Sequence, residues 1–205
     1  DAGCPAPELP SEPIHLEVPN LFLGGIPLYG VHFDYNPSTG DGNGGGGFGI
    51  GLARVGGWFF LKGGQFNGAR GCATHLNIPV FTGVTLDTID FSLFEDPWRL
   101  HGRVTLDFAE GLAQLTGGVL VVFANSDHPY KYNQDKNADG GQDDLSGVSS
   151  IDYSNPFTSF ALGAGAKFSL AHVPLLTIDG YGLYVDPGYF EFGGQAQLGI
   201  PKVIG

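Results

Sequence analysis

Between Gly30 and Tyr35 apolar and polar positions change places at every residue: Val31, Phe33 and Tyr35 form one set, Gly30, His32 and Asp34 the other. The same period of two governs Phe91 and Leu93, then Tyr181, Leu183 and Val185, and each run ends at an Asx-Pro pair: Asn36-Pro37, Asp96-Pro97 or Asp186-Pro187. Alternation of this kind marks a β-strand with one face buried, and Asx-Pro marks the turn that follows it. Beyond the turns, Arg103 to Phe108 and Phe190 to Leu198 alternate again, so each run and its successor should form a hairpin. No stretch holds the helical period for more than about two turns. The pattern predicts an all-β chain.

The hairpins are also repeated. His15-Leu16-Glu17-Val18-Pro19 recurs as His75-Leu76-Asn77-Ile78-Pro79, an offset of 60 residues, and Asn36-Pro37 recurs as Asp96-Pro97 at the same offset. Gly51-Leu52-Ala53-Arg54-Val55 returns as Gly111-Leu112-Ala113-Gln114-Leu115, with Gly57 falling on Gly117. Three blocks sharing one gapless offset indicate an internal duplication. A looser third copy opens at His172-Val173-Pro174 and ends with Gly194-Gln195-Ala196-Gln197-Leu198; its paired prolines stand 13 residues apart instead of 18. The expected organisation is a Pro-rich arm over 1–14, a first β unit over 15–74, a second over 75–171 with an insertion at about 119–160, and a shortened third over 172–205. Internally repeated antiparallel units of this size suit a β-sandwich, or stacked sheets of the solenoid kind.

Composition narrows the classes. Gly and Pro (35 and 14 of 205 residues) approach a disordered composition, but only 15% of residues are charged and aromatics run from Phe22 to Phe192, so the chain has apolar material to bury. A net charge of −12 with scattered Lys and Arg argues against nucleic acid, whose binding depends on clustered cations. The longest apolar run, Leu115 to Ala124, is ten residues and is interrupted by Thr116, Gly117 and Gly118, too short for a membrane helix. The sequence starts at Asp1 without a basic and apolar leader, which points to a processed end and an exported, extracellular or cell-surface protein.

Cys4 and Cys72 are the only cysteines. In an exported chain they are expected to pair, and closing a loop of this length contributes about 4 kcal/mol. Neither belongs to a Cys-x-x-Cys motif or a zinc spacing.

The insertion contains Asp135-Lys136-Asn137-Ala138-Asp139-Gly140-Gly141-Gln142-Asp143-Asp144-Leu145-Ser146. Oxygen-bearing side chains at Asp135, Asn137, Asp139 and Asp143, a turn at Gly140 and a carbonyl at Gly141 supply what calcium, a hard ion wanting six to eight oxygens, requires. Over this dozen residues the loop resembles the calcium loops of secreted proteins such as dockerins and thrombospondin-type repeats. Ser146 replaces the bidentate Glu of an EF-hand, so Asp144, Asp127 or Asp152 would complete the shell. A structural Ca2+ is the one cofactor expected.

Other constellations carry less. His15, His75 and His172 are repeat mates that would meet only if the units packed around an axis. Asp87, Asp90, Glu95 and Asp96 lie close in sequence, but period two places Asp87 and Asp90 on opposite faces, away from the paired geometry of a glycosidase. The Gly-rich run from Gly42 to Gly49 has no phosphate-binding Lys and reads as a hairpin tip or a place of close backbone packing. No catalytic motif is present, and no enzymatic activity is expected. Trp58 and Trp98 are candidate stacking platforms for a sugar, although aromatics in alternating strands are more often core.

The final segment, Leu198 to Ile204, is apolar to its end, and the first strand follows an extended arm, so neither end resembles the polar cap that stops repeat units from stacking. The leading expectation is therefore an exported structural protein that self-assembles into filaments or a surface layer through sheet edges or its N-terminal arm. A carbohydrate-binding or adhesive module is the second reading. An outer-membrane β-barrel is the third. Prolines at strand ends, alternating runs that look shorter than nine residues and the lack of a terminal aromatic weigh against that membrane reading.

Overall fold

The computed structural model describes residues 13–18, 21–109, 111–130, 156–170 and 176–198. They form strands β1 (Ile14–Val18), β2 (Leu21–Leu23), β3 (Ile26–Tyr35), β4 (Gly42–Ile50), β5 (Ala53–Lys62), β6 (Gln65–Thr74), β7 (Ile78–Phe81), β8 (Val84–Glu95), β9 (Trp98–Phe108), β10 (Ala113–Phe123), β11 (Phe160–Leu170), β12 (Leu176–Val185) and β13 (Tyr189–Leu198). All belong to one antiparallel sheet. Eleven follow one another in the order β1-β3-β4-β5-β6-β8-β9-β10-β11-β12-β13, with β2 added beside β3 and β7 beside β8. The all-β, antiparallel and internally repetitive architecture expected from the pattern is thus present, with its strands in one up-and-down sheet in place of two packed ones. Because β6 pairs directly with β8, the ladder continues without a break from residues of the first repeat to those of the second.

Each Asx-Pro pair sits at a hairpin tip. Asn36-Pro37 turns β3 into β4, Asp96-Pro97 turns β8 into β9, and Asp186-Pro187 turns β12 into β13; the last two peptide bonds are cis. The first turn is closed by Asn36 N–H donating to the Asp41 carbonyl and Gly40 N–H to the Asn36 carbonyl, both 2.7 Å. Repeat mates diverge at the openings of the units: His15 lies within β1, whereas His75 lies in a loop at φ 54°.

Two features differ from the expectation. The strands of the main path from β3 onward are 9 to 12 residues long, because glycines and polar residues that obscure the apolar alternation continue each ladder. The Gly42 to Gly49 run is strand β4 and not a tip, while the alternative of close packing holds: Gly44 lies beside the rings of Phe33 and Phe59, Gly47 beside the ring of Tyr29 and the Val55 carbonyl, and a Cβ would overlap them. A strand normally loses by having Gly in its interior, and here the neighbouring rings fill the space.

The register fixes which residues share a face, since directly paired residues point the same way. Arg70, Ser92, His101 and Leu120 lie in one cross-strand row, and Asp90, Arg103 and Gly118 in another. On the opposite face Ile89, Val104 and Gly117 align, as do Phe91, Gly102, Val119 and Ala164. The first face is buried although it is rich in charge: Arg99 has 2% exposed and His101 1%. The second is apolar yet exposed, with Phe91 at 49%. A single sheet covers one of its own faces only by curling, so the charged face is the inside.

The inside is apolar at the end where the Asx-Pro turns lie. Leu120, Val122, Ala161, Leu183 and Val185 pack there around Tyr130 and Phe157, which form an isolated antiparallel bridge and are fully buried. These two aromatics belong to the connection between β10 and β11, which begins at Ala124 because β10 runs on to Phe123. Trp58, Phe60, Cys72 and Phe94 form a second interior cluster.

Candidate functional site

The middle of the interior is an ionic layer. Asp90 Oδ2 accepts from Arg70 Nη2 at 3.0 Å and from Arg103 Nη2 at 3.3 Å. The Arg70 guanidinium also lies 5.8 Å from the centroid of the Trp58 ring, while Arg99 stands over Phe94 at 4.2 Å and reaches Tyr130 at 5.4 Å. Cations over ring faces are held by the ring quadrupole, which suits them to a desolvated site. Around the rest of the wall the inward groups are also polar and bonded to each other. His15 Nδ1 donates to Asp34 Oδ1 at 2.6 Å, His32 Nε2 to Asn43 Oδ1 at 2.9 Å and Gln195 Nε2 to Asp179 Oδ2 at 3.1 Å. Thr105 and Thr116 hydroxyls meet at 3.1 Å, and the Tyr181 hydroxyl donates to Glu191.

All four arginines of the chain, Arg54, Arg70, Arg99 and Arg103, occupy inward registers. So do Glu17, Asp34, Asp90, Asp107, Lys167, Asp179 and Glu191. Asp87 sits in the bulge of β8, and Glu95, the last residue of β8, is the charged strand residue that pairs outward, opposite Trp98. The outer face is otherwise Gly, Ala, aliphatic and aromatic.

Those outer aromatics are ordered. Near the Asx-Pro rim a continuous chain of ring contacts crosses five strands: Trp98 to Phe123 (5.2 Å between centroids), Phe123 to Phe160 (5.1 Å), Phe160 to Tyr184 (6.3 Å) and Tyr184 to Phe190 (4.8 Å). On the same face a separate group lies on β3 and β5, where Phe33 meets Tyr35 at 6.1 Å and Phe59 at 6.3 Å between centroids. Away from this belt, the middle of the outer face is lined by small residues such as Gly57, Gly102, Gly117 and Ala166.

The rim itself is charged and exposed. Asp96 is 2.6 Å from His128 and 3.6 Å from Lys62. Asp41 accepts from the Gly63 amide at 3.0 Å, joining the β3–β4 turn to the β5–β6 turn. That bond, followed by the Thr39 hydroxyl, holds the Asp41 carboxyl below the ordinary carboxylate range.

The candidate residues named from sequence fall apart in space. Trp58 is inside and 5% exposed; Trp98 is outside, in the aromatic belt, so the two do not form one sugar platform. Cys72 is buried on the inner face, paired with Gly56 and Asp90; Cys4 lies outside the described residues. The calcium candidates Asp135, Asn137, Asp139, Gly141, Asp143 and Asp144 also lie outside them, as do Asp152 and His172. Among the described residues no group of three or more His, Cys, Asp or Glu could hold a metal ion, and His15 and His75 are not brought together in one. The four arginines were missed as a set. For two of them the signal was present in Trp98-Arg99-Leu100-His101-Gly102-Arg103-Val104, where Arg or His occupies every second place of a strand otherwise apolar. Comparison with known protein families, characterised proteins and solved structures finds no match for this chain.

Proposed function

We propose that the chain is an outer-membrane β-barrel protein, with a packed polar interior and an apolar wall that meets lipid. One observation carries this reading: along the main path the charged strand residues take the inward register, Glu95 at the rim end of β8 and Asp87 in its bulge apart, and the outward register is otherwise apolar. Lipid demands that inversion, because no water solvates polar groups in the bilayer core and every backbone group must pair within the sheet. Strands of 9 to 12 residues also fit, since about 10 residues at the tilt of such barrels cover an apolar band of roughly 25 Å. The aromatic belt beside a charged rim supports it as well, because amphipathic rings gather where hydrocarbon meets headgroups. Tyr130 and Phe157 fill one end and the ionic layer fills the middle, so the barrel serves as an anchor or scaffold more than as an open channel. The Cys4–Cys72 bridge and a structural calcium ion in the insertion remain part of this proposal.

The exported self-assembling reading retains one supporting observation, that among the described residues no further strand pairs with the outer edges of β1 and β13. Single-tryptophan variants in lipid vesicles separate the two. With Trp58→Phe, the remaining Trp98 should be strongly quenched by brominated lipid; with Trp98→Phe, the remaining Trp58 should be nearly silent. Stable solubility in buffer without detergent, with neither indole quenched, rejects the membrane reading in favour of assembly.

A further inference from the structure

β9 pairs with β8 along its whole length, so β6 and β7 share the other edge of β8. β6 holds that edge down to Ile89, and β7 takes it over at Leu86. In the gap stands Asp87, the extra residue of the β8 bulge. Its carbonyl accepts from Leu76 N–H at 3.0 Å, and the connection that makes this bond carries His75 and Asn77 at φ 54° and 52°. Ala109, at φ 49°, donates its N–H to the Gly83 carbonyl at 2.8 Å. Among the described residues these are the non-glycine residues with positive φ, and all three gather at the end of the sheet opposite the Asx-Pro turns. Strain of this kind collects at ligand sites, because only a rigid surrounding structure maintains it. Bulges have a related use, since they re-aim one side chain out of the regular rows.

At this place lies a hollow of about 810 Å³, large enough for a small organic molecule. Its lining is part apolar, with Leu52, Pro79 and Phe81, and part polar, with His75, Asp87 and Asp107; it includes no Lys or Arg. Asp107 Oδ1 is buried and, among the described residues, meets no donor. A buried acceptor left unpaired is costly, so the hollow lacks an N–H or O–H that a ligand would bring. That ligand is not a bare metal ion, because no group of three or more His, Cys, Asp or Glu among the described residues could hold one. A molecule that reaches across the hollow can instead meet the carboxylates through N–H groups and cover Pro79 and Phe81 with carbon. A cation over the Phe81 ring face gains from its quadrupole as well. We infer that this hollow binds an organic ammonium ion carrying a compact apolar group, with Asp87 and Asp107 as its acceptors.

The inference is independent of what the outer wall meets. Its probe is benzylamine, a cation at neutral pH, with benzyl alcohol as the uncharged counterpart. Each is titrated into the full isotope-labelled chain in detergent, or in buffer if the chain needs none, while amide chemical shifts are followed. Benzylammonium should give saturable shifts at His75, Asn77, Phe81 and Asp107, half-complete at about millimolar concentration or below. Benzyl alcohol should bind about tenfold more weakly or worse, because charge-assisted hydrogen bonds to carboxylate are the stronger ones. Asp87→Asn with Asp107→Asn keeps the size of both side chains and removes their charge, and should weaken benzylammonium by about tenfold or more. The ratio of the two probes on the unaltered chain decides the matter even where the double variant misfolds. Equal binding of the probes, shifts that do not saturate, or shifts shared with Asp41 and Asp96 on the opposite rim overturn the inference. So does a folded double variant that binds benzylammonium as the parent does.

Discussion

Arg70 and Asp90 face each other across the adjacent strands β6 and β8, Nη2 to Oδ2 at 3.0 Å, with 3% and 7% of their side chains exposed. Arg103 shares the same carboxylate oxygen at 3.3 Å from a third strand. One carboxylate therefore joins β6, β8 and β9 from the inside. Replacing Asp90 by Ala leaves two inward guanidiniums around a missing anion, and breaking a buried pair from one side costs about 3–5 kcal/mol. Arg70→Met combined with Asp90→Leu should cost clearly less than Asp90→Ala alone, because the more deeply buried Arg70 charge leaves with the carboxylate and only Arg103, 21% exposed, loses its partner there. Urea unfolding of the two variants and the parent protein in one detergent checks this ordering.

The hairpins and their Asx-Pro tips were legible from alternation, but the direction in which each face points was not. A period of two reports that the faces differ and is silent about which one meets solvent, so apolar Phe91 and Leu93 read as the buried set although they face out. Third-copy residues make the same point: Val31, Phe33 and Tyr35 take the outward register, while Tyr181, Leu183 and Val185 take the inward one. The Gly42 to Gly49 run was obscured for another reason, because its packing partners are aromatic rings on β3 and β5, distant in sequence. Gly45 is the sharpest case. A Cβ there would fall on the Trp58 ring and the Gly57 carbonyl, so Gly45→Ala should cost about 1–3 kcal/mol through overpacking. Gly51→Asn is the control, a left-handed turn position with open space around it, and should be nearly neutral.

The outer face gives the membrane reading a quantitative edge. Val119 lies midway along β10 in the outward register, opposite Gly102 and Ala164. An Arg at the bilayer midplane of a barrel's lipid face costs about 2–4 kcal/mol, falling towards zero at the interfaces. On the water-exposed surface of a soluble protein the same change stays within about 0.5 kcal/mol. Val119→Arg should therefore destabilise in vesicles by the larger amount, while Gln114→Arg, inward on the same strand, should cost much less. A pair of equal and small effects from reversible urea titrations would contradict the lipid-facing assignment.

Calcium in the insertion is checked at its own residues. Calorimetric titration of the full chain should show one binding event, and Asp139→Asn with Asp143→Asn should abolish it while leaving urea stability of the strands unchanged. The second half follows from the anchoring of the connection: Tyr130 and Phe157 are fully buried and bridge to each other on the described side of the loop. Loss of the ion therefore leaves the interior cluster in place.

Acid should loosen the rim before it affects the wall. The Asp41 carboxylate is favoured in the folded chain chiefly by the Gly63 amide, so its folded pKa lies below the ordinary value of 3.8. A depressed carboxyl contributes stability that is fully present above the ordinary value and is lost as pH falls through the folded one. The neighbouring turn bond, Gly64 N–H to the Gly40 carbonyl at 2.7 Å, belongs to the same junction and should weaken with it. Amide exchange at Gly63 and Gly64, corrected for its intrinsic pH dependence, should thus rise below about pH 4, where carboxylates of this type begin to protonate. Asp41→Asn retains an acceptor oxygen but cannot titrate, so its corrected exchange should be flat over the same range. An equal acid response in both proteins would place the sensitive group elsewhere on the rim, with Asp96, shared by His128 and Lys62, the next carboxylate to replace.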